Sequence, residues 1–89
     1  PEHLILINSG YYYHGWSQSA IALSLMFNYK LNTSSKNGFV WTGFPSSNLN
    51  TKLEQLKEFN VNYICVDHGE IIYEYNDGIQ LSNFIEQHK

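Results

Sequence analysis

The segment GYYYHGWSQSA, residues 10–20, decides how this chain is read. Four large rings (Tyr11, Tyr12, Tyr13 and Trp16) and one imidazole (His14) follow a glycine, and an apolar run begins just after Ser17. Aromatic side chains favour a pleated, half-buried strand. Gly10 suits a turn at its start, and Ser17 is a natural N-cap for the helix that "QSAIALSLMFNYKL" predicts over residues 17–31. Side chains alternate along a strand, so Tyr11 and Tyr13 are expected on one face and Tyr12 with His14 on the other, one pair in a core and one exposed. Trp16 and Trp41 are expected in the core, and Gly10, Gly15 and Gly43 at turns or close backbone approaches.

Upstream, "LILIN" (residues 4–8) is a continuous apolar run ended by Ser9 and Gly10, the pattern of a buried strand. Downstream, Ala20, Ile21, Leu23, Leu25, Met26, Phe27 and Tyr29 lie nearly all round the helix, which predicts burial on more than one side. "NTSSKNG" (residues 32–38) reads as a surface loop. "FVWTGFP" predicts a strand from Phe39 that ends by Pro45, since proline cannot donate to a ladder. Leu49, Leu53 and Leu56 form a helical stripe, capped by Thr51 with Glu54 as a capping box, or by Asn48 or Ser47. Asn60 stands where a left-handed residue ends that helix. "VNYICV" (residues 61–66) and "EIIYEY" (residues 70–75) are the next strands, Asn76-Asp77-Gly78 is a turn signal, and a closing helix carries Leu81, Phe84, Ile85 and His88 on one face. The order β-β-α-β-α-β-β-α predicts one α/β (α+β) domain over residues 1–89, a mixed sheet flanked by helices.

The composition bounds the function. At 89 residues, 43% apolar and 16% aromatic, the chain suits one small globular domain. Its longest apolar stretch, residues 20–27, is too short for a bilayer and is interrupted by Ser24, and no secretory signal stands at the start, so no membrane role is expected. The single cysteine, Cys65, cannot form an internal disulfide, which makes a cytoplasmic location the default. A first residue Pro1 rather than Met is consistent with a processed chain or a domain taken from a longer protein. Five lysines, no arginine and eight carboxylates give a net charge of −3. Nucleic-acid affinity rests largely on Lys and Arg contacts to phosphate, so the domain alone is expected to bind DNA weakly.

No catalytic constellation emerges. Cys65 and His68 form a C-x-x-H pair, but Cys65 sits between Ile64 and Val66 in a strand expected to be buried, where a thiol is inert packing. His3, His14, His68 and His88 lack metal-site spacing. Asp67, Glu70 and Glu74 have no nearby lysine to complete a nuclease cluster, and no glycine-rich phosphate loop is present. Neither an enzyme activity nor a cofactor is expected.

The opening segment resembles the mismatch-recognition domain at the N-terminus of MutS proteins, in which a strand carrying a G-D-F-Y-E-x-F-x-x-D-A pattern leads into a helix. Gly10 lies on the glycine, Tyr12 and Tyr13 on the aromatic pair, Trp16 on the second aromatic and Ala20 on the alanine. "GFP" (residues 43–45) is similar to the family's G-[FV]-P strand end, and residues 49–68 to the helix and strand that follow, with Asp67 and His68 where an acidic residue and a glutamine commonly stand. The resemblance covers residues 4–68. It implies a non-catalytic module that meets mismatched duplex DNA as part of a larger MutS-like protein or complex. By position it implies that Tyr12 is the ring that wedges beside the mismatch and His14 the residue that hydrogen-bonds the base. Both depart from the family's phenylalanine and glutamate: Tyr12 adds a hydroxyl, and His14 replaces a negative group with one that can turn positive. The alternative is a stand-alone protein-interaction domain that keeps the fold without reading DNA.

Overall fold

Apolar alternation along the strands sorts the chain into two layers in a computed structural model that describes residues 2–89. The six strands are β1 (Leu4–Ser9), β2 (Tyr12–Trp16), β3 (Asn32–Thr33), β4 (Val40–Pro45), β5 (Tyr63–Asp67) and β6 (Glu70–Tyr75). They form one mixed sheet in the order β3-β4-β2-β1-β5-β6. Only β1 and β5 run parallel, Leu4 opposite Tyr63 and Leu6 opposite Cys65, while the remaining neighbours are antiparallel. The helices are α1 (Gln18–Phe27), α2 (Leu49–Glu58) and α3 (Leu81–His88). The expected α+β class and mixed sheet are therefore present.

Register explains why one sheet face is dry. Leu4, Leu6, Tyr13, Phe44, Tyr63 and Cys65 point to the same side and join Leu23 of α1, Leu53 and Leu56 of α2, and Leu81 and Phe84 of α3 in one buried cluster. All three helices thus cover one face. The side of α1 that meets the sheet is built from small residues, with Ser19, Ala20 and Ala22 buried beside Leu23, which lets the helix lie close to the strands.

The structure corrects several local expectations. The first helix stops at Phe27, not at residue 31, because Asn28 adopts a left-handed conformation (φ 58°) and closes the last turn by donating to the Ser24 carbonyl at 2.8 Å. Ser17 makes no side-chain cap: its backbone sits at φ 55°, ψ −121° in the sharp turn from β2 into α1. Residues 32–33 are not loop but a two-residue strand on β4. The second helix begins at Leu49 after a 3-10 turn over Ser46–Asn48, so Thr51 lies inside it and forms no capping box; Asn48 holds the cap position without a side-chain bond. Asn60 is left-handed (φ 58°), as its place after α2 suggests. The fifth strand starts at Tyr63, and Val61 instead makes an isolated bridge to Ile79. In α3, Leu81 and Phe84 are buried, while His88 stacks on Phe84 with ring centroids 4.1 Å apart.

Candidate binding face

The face opposite the helices carries the residues of the other parity. Ile5 and Ile7 of β1 lie beside Ile64 and Val66 of β5, and β2 contributes Tyr12, His14 and Trp16. Antiparallel pairing sets Trp16 against Trp41, His14 against Gly43 and Tyr12 against Pro45. The three helices pack on the other side; among the described residues only Gln18 and Ser19 of α1 and Leu81 of α3 border this one, lining with Ile5, Ile7 and Trp16 a cavity of about 190 Å³, and an apolar and aromatic surface stays open. Contiguous apolar surface of this kind makes the face the candidate binding surface.

Four rings form a continuous row there. Tyr12 and His14 are nearly parallel with centroids 6.2 Å apart, His14 meets the edge of Trp41 at 5.0 Å, and Trp41 leans on Trp16 at 6.2 Å. Trp16, 36% exposed, and half-buried Trp41 are therefore surface platform residues and not core. The reason is parity: Trp16 sits two and four residues from His14 and Tyr12 and must share their side of β2. Gly43 makes room for the row. A Cβ at that position would run into the Tyr13 carbonyl oxygen and lie 2.6 Å from His14 Cδ2, so any larger residue would push the imidazole off β4.

Tyr12 and His14 lie together, as the strand alternation requires. Tyr12 is 48% exposed and its neighbour Tyr13 only 4%, with the Tyr13 ring stacked on Phe44 at 6.1 Å. Tyr11 does not share the fate of Tyr13: it falls in the turn before β2 and is 89% exposed. Burial lowers the His14 pKa below the ordinary histidine value, which favours a neutral ring at physiological pH with one donor and one acceptor nitrogen. Beside these rings is a cleft of about 380 Å³ lined by Tyr12, His14, Asn32, Trp41, Thr42 and Gly43.

Charge lies off the cleft, although Glu74, paired with Ile64, shares the open face. Lys52 sits 4.1 Å over the Phe27 ring and Lys57 5.8 Å from the Tyr75 ring, both on α2 and so on the helix side, and Lys89 pairs with Glu86 at 3.2 Å. No lysine or carboxylate lines the cleft among the described residues. At the strand end that also carries the Gly10-Tyr11 turn, on the far side of β1 from β2, Asp67 closes β5 and its Oδ1 lies 2.7 Å from Nδ1 of exposed His68, whose φ of 52° starts the turn into β6. Cys65 is fully buried, and desolvation pushes its thiol up to about 11. Among the described residues no group of three or more His, Cys, Asp or Glu side chains converges as a metal site would, and no helix is long and apolar enough to cross a membrane. No protein-family model matches the chain, and no curated protein matches it either.

Proposed function

We propose that this chain is a non-catalytic binding domain related to the mismatch-recognition domain of MutS proteins. It contacts mismatched duplex DNA within a larger protein or complex, Tyr12 stacking and His14 hydrogen-bonding. The observation that carries this reading is the disposition of three consecutive residues: Tyr12 and His14 share the open face while Tyr13 is buried. A register shifted by one residue would bury the proposed wedge. The order of elements gives further support, since β2 leads into α1, β4 ends at Pro45, and α2 and β5 follow, as the resemblance implies. A neutral His14 suits the role of hydrogen-bonding partner to a base, because it can donate from one nitrogen or accept at the other without bringing charge into a stacked environment.

The test is fluorescence anisotropy at low ionic strength, with labelled duplexes that differ by one mismatched pair and the protein titrated to millimolar concentration. The domain is expected to prefer the mismatched duplex, and Tyr12→Ala is expected to remove that preference. Equal binding of both duplexes, or no binding, sinks the DNA reading. The second reading, a protein-interaction domain, is favoured by a separate observation: among the described residues no cation lines the cleft beside these rings to meet a phosphate backbone.

A further inference from the structure

The turn that carries Tyr11 has the construction of a fixed anchor. Gly10 and Tyr11 form a two-residue connection between the paired residues Ser9 and Tyr12. Gly10 takes a positive φ of 71° at the first central position, as type II′ hairpin turns require. Exposed turn tips are ordinarily mobile. Here polar side chains from two other parts of the chain hold the backbone. Asn8 Oδ1 accepts from the Gly10 N–H at 3.1 Å, and Asn8 Nδ2 donates to the Gly10 carbonyl at 3.3 Å. Ser46, from the 3-10 turn after β4, donates its hydroxyl to the same carbonyl at 3.1 Å and its backbone N–H to the Tyr11 carbonyl at 2.7 Å. Asn8 Nδ2 also reaches Ser46 Oγ at 3.4 Å.

What this clamp presents is a phenol. Tyr11 is 89% exposed, more than any other large apolar or aromatic side chain among the described residues, and neither its ring nor its hydroxyl has an aromatic or hydrogen-bonding partner among them. A bulky ring held out on an ordered backbone loses little conformational freedom on binding, which is why tyrosines so placed serve as contact anchors. The phenol also adds a second neutral hydroxyl beside that of Tyr12, able to donate to a phosphate oxygen.

We propose that Tyr11 is a second contact residue for the duplex, a prong fixed by the positioning residues Asn8 and Ser46 that works beside Tyr12. The ring packs on a base or sugar and the hydroxyl donates to the backbone. This rests on the mismatched-DNA reading above. The experiment titrates a labelled mismatched duplex with the wild-type chain and with Tyr11→Ala, Tyr11→Phe, Tyr12→Ala, Ser46→Ala and Ser46→Thr, each checked for an unchanged melting temperature. Tyr11→Ala is expected to weaken binding about tenfold, the scale of losing one stacked ring, and Tyr11→Phe by less. Ser46→Ala, which leaves both rings in place, is expected to weaken it severalfold, with Ser46→Thr restoring affinity. If the wild-type chain prefers the mismatch and Tyr12→Ala abolishes this while Tyr11→Ala stays within twofold of wild type, the prong is refuted and the Tyr12 reading stands. If the wild-type chain shows no preference, both fall.

Discussion

Replacing Tyr13 and Tyr12 in turn by alanine tests the register on which the site depends. Tyr13 is 4% exposed, its ring stacked on Phe44 and in one buried cluster with Leu4, Leu6, Leu23 and Cys65. Truncating a large buried aromatic removes its transfer energy and leaves a cavity, together about 3 to 5 kcal/mol. A domain of 89 residues has roughly 4 to 13 kcal/mol of stability in total, so Tyr13→Ala is expected to lose a large part of it. With a urea dependence of about 1 to 2 kcal/mol per molar, the unfolding midpoint falls by about 1.5 to 5 M, or the variant is unfolded from the start. Tyr12 is half exposed on the open face, and Tyr12→Ala is expected to cost less than about 1 kcal/mol. Circular dichroism during urea titration reads both midpoints. A larger loss from Tyr12→Ala than from Tyr13→Ala would place Tyr12 in the core, and with it would go the proposed stacking by Tyr12 and the proposed hydrogen bonding by His14.

Other expectations follow from particular residues. Ser17 occupies φ 55°, ψ −121°, a conformation costly for any residue with a Cβ. Relief of about 1 to 3 kcal/mol of strain, less about 0.5 to 1 kcal/mol for glycine's entropy, leaves Ser17→Gly more stable by about 1 kcal/mol; a lower melting temperature would contradict this. Burial raises the Cys65 thiol from an ordinary 9.0 to about 11, and also raises the Tyr13 and Tyr63 hydroxyls. The folded state therefore holds these protons more tightly than the unfolded chain, so the Cys65 contribution is complete below about pH 9 and is lost as pH rises through about 11, and the tyrosines add to the loss above pH 10. Urea midpoints that do not fall between pH 8 and pH 11 would refute it, as would rapid alkylation of Cys65 in the native protein at neutral pH. Homoduplex DNA is expected to bind no more tightly than about 10⁻⁴ M at physiological salt; micromolar affinity with a steep salt slope would reveal a lysine patch.

The sequence carries the strands well and their surroundings less well. Residues 4–8, 39–45 and 61–66 announce strands because apolar β-formers are bounded by glycine, proline and asparagine, and the contrast between Tyr12 and Tyr13 follows from alternation alone. The same alternation puts Trp16 on the side of Tyr12 and His14, yet size and apolarity argue for the core. Only the knowledge that all three helices pack on one face shows that this side is open. Apolar residues continue through Tyr29 and Leu31, so hydrophobicity does not mark the end of α1; the left-handed turn at Asn28 does, and an asparagine there was the available signal. Strand β3 is polar and two residues long, and its pairing with β4 comes from tertiary contact that no local pattern encodes. The clamp on Tyr11 joins Asn8 to Ser46 across 38 positions, beyond any short-range motif.

Under the proposed function, an aromatic face on an acidic domain would divide the work of DNA binding in a definite way. Phosphate contacts supply most of the affinity for a duplex and little of the discrimination between sequences, whereas rings and hydrogen-bonding groups at the bases do the reverse. The row Tyr12, His14, Trp41 and Trp16 has only the second kind of group, and the lysines of α2 lie over rings on the opposite layer. Under the proposed function, then, the domain provides the test of a base pair while a partner segment rich in cations provides the hold. Fusing or supplying such a segment should tighten binding to matched and mismatched duplexes alike and steepen the salt dependence, yet leave their ratio unchanged. The ratio should respond to Tyr12→Ala even when the overall affinity is high. A ratio that instead collapses to one once binding becomes tight would mean that the face reads nothing, and that its open rings serve a protein partner.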